Sequence, residues 1–152
     1  MINLSIAAYR STGATIYASF HLSNLAKAYA ELGQFDDARR CIDEAMTAVE
    51  TTKERWGEAD IHRIAGEIAL SSPQRDAAKA QAYFERALTV ARSQQAKSWE
   101  LRAAMSLARL WRDQGRRDDA RDLLAPIYGW FTEGLGTLDL REARALLDEL
   151  AS

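Results

Sequence analysis

Only one cysteine, Cys41, occurs in the 152 residues, so no disulfide can form within the chain and a reducing, cytoplasmic setting is expected. Two prolines and eight glycines leave few helix breakers in an alanine-, leucine- and arginine-rich sequence, which favours helix over sheet. No apolar run approaches the roughly eighteen residues of a membrane span. The N-terminus lacks the basic and apolar regions of a secretory signal. Neither charge dominates: the net charge is −2, which gives no general attraction to nucleic acid or anionic lipid. Neither a G-x-x-x-x-G-K-[ST] nor a G-x-G-x-x-G string is present, so no phosphate-cradling loop is predicted.

What the chain does contain is amphipathic periodicity. In residues 101–131, Ala104, Leu107, Ala108 and Trp111 recur at helical spacing, and Gln114-Gly115-Arg116 interrupts them. Ala120, Leu123, Leu124, Ile127, Tyr128 and Phe131 then resume the pattern. Asp118 and Asp119 open the second segment, where carboxylates suit the helix dipole. A single helical hairpin cannot bury its own apolar stripe, so copies are predicted. Residues 16–51 supply one, with Leu22, Leu25, Ala26 and Tyr29, a break at Gly33, then Phe35, Ala38, Ile42, Ala45, Met46 and Val49. Residues 55–96 supply another, with Ile61, Ile64, Ala65 and Ile68, then Ala80, Phe84, Ala87, Leu88 and Ala91.

The register is consistent between copies. Tyr29, Ile68 and Trp111 are equivalent, as are Ala38, Ala80 and Ala120, and the middle turn, around Pro73, holds three extra residues. Tyr17, Trp56 and Trp99 share a second register. Residues 98–132 are the third repeat, and 138–151 form a closing helix with Ala143, Leu146, Leu147 and Leu150 on one face and charges on the other. Pro126 removes a backbone hydrogen bond inside the last second helix, so a kink or an early end is expected there. Residues 1–13 read as half a unit, so the 152 residues are expected to be a piece of a longer protein. The expected fold is a single all-α domain, an α-solenoid of antiparallel helix hairpins with a C-terminal capping helix.

The pattern Leu25-Ala26, Tyr29, Gly33, Phe35, Ala38, Ile42, Ala45 resembles the tetratricopeptide repeat. The second unit matches at Ile64-Ala65, Ile68, Ala80, Phe84 and Ala87 but lacks the turn glycine. The third matches at Leu107-Ala108, Trp111, Gly115, Ala120 and Leu124, with Ile127 where the family has a small residue. Repeat spacings near 40 exceed the family period of about 34 residues. The strings ERWGEADIHR (54–63), LARLWRDQGR (107–116) and LAPIYGWFTEG (124–134) resemble the C-terminal repeat region of bacterial multidomain proteins. Those proteins also carry a class III adenylate or guanylate cyclase domain and a signal-transduction ATPase. That resemblance implies a regulatory tail rather than an enzyme.

Each chemically suggestive residue also has a structural explanation. Cys41 has no histidine suggested as its base, and His21 and His62 lack ligand partners at helical spacing. Asp36-Asp37, Asp43-Glu44 and Asp118-Asp119 decorate second helices, Gly134-Leu135-Gly136 is too short to hold phosphate, and the tryptophans fall at packing positions. No cofactor and no metal are implied. The resemblance implies instead a peptide-binding concave face on the first helices. Its residues would be Phe20, Ser23 and Lys27, then Ala59, His62 and Gly66, then Arg102, Met105, Arg109 and Arg112. Lys27, Arg102, Arg109 and Arg112 would form a basic strip suited to an acidic peptide or a terminal carboxylate. The family's carboxylate clamp is matched only in part, since Gly66 stands where an asparagine would.

The function implied is a protein–protein interaction module whose partner is a peptide segment or a neighbouring domain. The alternative is a small-molecule-sensing helical domain that gates an attached ATPase or transcription regulator. A closed apolar pocket would favour the alternative, and an open groove the first reading. Self-association through Ile2, Leu4 and Ile6 of the half unit would give a homodimer.

Overall fold

In a computed structural model, residues 18–52, 55 and 57–151 are described, and all their regular structure is helical. Among the described residues seven helices follow in order: α1 Ala18–Glu31, α2 Phe35–Thr52, α3 Glu58–Ser71, α4 Ala77–Ser93, α5 Lys97–Asp113, α6 Arg117–Trp130 and α7 Leu138–Ala151. The half unit, together with Tyr17 and Trp56 of the aromatic register, lies outside the described residues.

Backbone hydrogen bonding explains where the helices stop. Gly33 and Gly115 adopt φ of 79° and 80°. Beyond them, Gln34 N–H donates to Tyr29 O and Arg116 N–H to Trp111 O, closing the last turns of α1 and α5 through left-handed glycines. Gln95 does the same at the end of α4 with φ 55°, and Ala96 N–H donates to Ala91 O. The longer middle turn has no glycine. Asp76 N–H closes it onto Ala69 O, and the Asp76 carboxylate caps α4 by accepting from Lys79 N–H at 3.0 Å. Helix α6 runs through Pro126 to Trp130, so the early end expected there does not occur. Ile127, the next residue, is buried and holds the final turn against the core.

Consecutive helices pair as hairpins, and the hairpins stack: α1 packs on α3, α3 on α5, and α5 on α7. The second helices pack on the first helix of the next hairpin, but α2 and α4 nowhere bring their Cα atoms within 8 Å of each other. The first helices therefore form the tighter layer and the second helices splay outside it. This is a tetratricopeptide-like all-α solenoid. Its apolar stripes are those the periodicity marks, including Ala80, Phe84, Ala87, Leu88 and Ala91 on α4. Gly66 permits a close approach of α3 to α4. A Cβ built there would lie 2.4 Å from Cε1 of the buried Phe84 ring.

Candidate functional site

The residues expected to line a concave binding face do not share one environment. Lys27 is exposed, and its ammonium has no partner among the described residues. Ser23 is buried in the first-helix layer, and the side chain of Phe20 lies outside the described residues. In the second unit Ala59 and His62 are buried, and Gly66 faces α4 rather than a groove. His62 sits 3.6 Å from Glu58 Oε2, too far for a hydrogen bond, and neither ring nitrogen has a partner. Burial lowers its pKa below the ordinary histidine value, Arg86 adds to the effect, and Glu58 opposes it.

In the third unit Met105 is buried, and each of the three arginines meets an acid on α7. Arg102 Nε lies 2.8 Å from Asp139 Oδ2, Arg109 Nη2 3.5 Å from Glu142 Oε2, and Arg112 Nη1 2.9 Å from Glu149 Oε2. The pairs advance together along both helices, so α7 runs parallel to α5, as a following first helix would. Burial works against the Arg112 charge, but hydrogen bonds to Asp113 and Glu149 prevail and raise its pKa. Three of the four charges of the basic strip visible in the sequence are thus paired from within the chain, and Lys27 is the exception. The charged side of α7 was legible as a solvent-facing surface. Its complementarity to α5 depends on which helix stacks on which.

The first-helix layer stays open at α1 and α3. A cleft of about 300 Å³ lies between them, with Lys27 and Glu31 on one wall and Arg63, Glu67 and Ser71 on the other, over Ile64 and Ile68. Arg63 is held by Asp60 at 2.8 Å, and Glu67 accepts from Ser106 Oγ at 2.8 Å. Both signs of charge are present, so the cleft is amphoteric rather than basic. Among the described residues no group of three or more His, Cys, Asp or Glu is placed to hold a metal ion. No described helix is long and apolar enough to cross a membrane.

Stacked hairpins with an open groove on their first helices define a helical-repeat protein. Residues 21–52 and residues 101–126 each match a tetratricopeptide-repeat family model. These segments cover most of the first and third repeats, the two hairpins with a turn glycine. No curated protein matches the chain.

Proposed function

We propose that the chain is a non-enzymatic docking module that holds an extended protein segment in the α1/α3 cleft. The observation that carries this reading is the unpaired Lys27 ammonium on the wall of an open, amphoteric groove between stacked first helices. Tetratricopeptide repeats generally bind protein, and a groove running between stacked first helices suits an extended segment of chain. We further propose that the module is the cytoplasmic regulatory tail of a bacterial cyclase–ATPase signalling protein, with a neighbouring domain as one source of the segment. The strings at 54–63, 107–116 and 124–134 support that context. Self-association through Ile2, Leu4 and Ile6 belongs to the same proposal, and concentration-dependent sedimentation tests it.

Photocrosslinking tests the groove. A photoreactive residue at Glu31 or Ser71 should capture a partner from bacterial lysate, one at the exposed Thr47 should not, and Lys27→Glu should abolish capture. Equal capture from all three positions, or capture indifferent to Lys27→Glu, overturns the reading.

A further inference from the structure

The second hairpin departs from the repeat pattern at its turn, and the added residues are anchored rather than loose. Arg39 of α2 reaches across, and its Nη2 donates to Oγ of the buried Ser72 at 2.9 Å. The same oxygen accepts from Gln74 N–H at 3.2 Å. Beneath this turn, where α2 and α4 splay apart over α3, lies a cleft of about 330 Å³. That volume falls within the range of small-ligand sites.

The neighbouring junction shows why the space is open. Trp111 occupies the register of Ile68, and Gln81 that of Arg39. There the indole Nε1 of Trp111 donates to Gln81 Oε1 at 3.3 Å, and the Arg116 guanidinium lies 4.6 Å from the indole centroid. One junction seats a bulky ring tied to the second helix before it. The other has a short aliphatic side chain, an arginine drawn away to Ser72, and a cleft. A local break in an otherwise regular pattern is where function is expected to concentrate.

The lining specifies the chemistry of an occupant. Its charges balance: Arg39 and Lys79 face Asp43 and Asp76. Arg39 is engaged by Asp36 and Ser72, and Asp76 by the α4 cap. The Asp43 carboxylate, the Lys79 ammonium and the Tyr83 hydroxyl have no partner among the described residues, and the floor beneath them is Ile42, Ala65 and Ile68. One unpaired acid and one unpaired base over an apolar floor match a ligand with an ammonium, a carboxylate and an aliphatic side chain. We propose that this cleft binds a small zwitterion of the apolar α-amino-acid class, its ammonium at Asp43 and its carboxylate at Lys79. Different charged groups line the α1/α3 cleft, so the two sites can fail independently.

The test uses the full chain, followed by amide NMR during titration with L-leucine, N-acetyl-L-leucine and L-leucinamide. L-leucine should shift amides around Asp43, Gln74 and Tyr83, and each capped analogue should bind about tenfold more weakly, as expected for one lost charge-assisted contact. Asp43→Asn should erase the preference over N-acetyl-L-leucine, and Lys79→Gln the preference over L-leucinamide. Both positions are exposed, so both variants should fold. No response to L-leucine, an equal response to all three compounds, or preferences that survive both substitutions overturns the proposal.

Discussion

Arg102 on α5 and Asp139 on α7 stand 2.8 Å apart, the first of three ion pairs that lay the closing helix along the last repeat. Each pair is partly exposed, so each is worth only about 0.5 kcal/mol. The buried Leu140, Ala143, Leu146 and Leu150 keep α7 docked, and the arginines fix its register. Reversing Arg102, Arg109 and Arg112 together to Glu replaces three attractions with repulsions. The expected loss is about 1–2 kcal/mol, read as roughly tenfold faster amide exchange confined to α7. Adding Asp139→Lys, Glu142→Lys and Glu149→Lys should restore the slow exchange.

Gly66→Ala should destabilise the chain despite the better helix propensity of alanine. Propensity contributes about 1 kcal/mol in favour. Against it, the new methyl meets three atoms of the fully buried Phe84 ring at 2.4 to 2.9 Å, and overpacking of this kind costs about 1–3 kcal/mol. At that closeness the upper end applies, so the net expectation is a loss of about 2 kcal/mol in chemical unfolding. Phe84→Leu should cost less in the Gly66→Ala background than in the native chain.

Gln95 closes α4 in the left-handed region, where a side chain is disfavoured. Gln95→Gly should therefore stabilise by about 1 kcal/mol, and Gly33→Ala or Gly115→Ala should destabilise by a similar amount. Thermal melts of the three variants check the opposite signs.

Stability should fall as the medium is acidified through the histidine range. His62 is buried with its pKa lowered, so below the ordinary value near 6.5 the unfolded chain takes up a proton more readily than the folded one. The stability present above that value is lost as pH falls toward the folded pKa, with a slope of at most about 1.4 kcal/mol per unit for one group. Glu58, on its own helix, moderates the loss, and Arg86, on α4, deepens it. Urea midpoints at successive pH values should show this slope in the native chain, and His62→Gln should flatten it.

The hairpins were readable because each helix carries its own evidence. An apolar residue every third or fourth position marks a buried stripe whatever it packs against, and Gly33 and Gly115 announce their turns. Gln95 was not readable, because nothing in its side chain signals a left-handed backbone. Lys27 kept the exposed position expected of it. His62 and Met105 did not, because counting one step off the core face assumes that a helix has a free side. Helix α5 has little free side, being packed by α3, α4, α6 and α7. The three arginines looked like a receptor because the sequence shows how charges are spaced along a helix and is silent about what lies opposite.

The sequence alone determined the all-α class, the repeat register and the extra residues in the middle turn, since all three follow from local periodicity and chain length. Only the tertiary structure decided which charges are spent within the molecule and where the stack leaves room. Pairing between α5 and α7, and the space beneath the turn anchored by Arg39, depend on contacts between residues more than thirty positions apart, which no local pattern encodes.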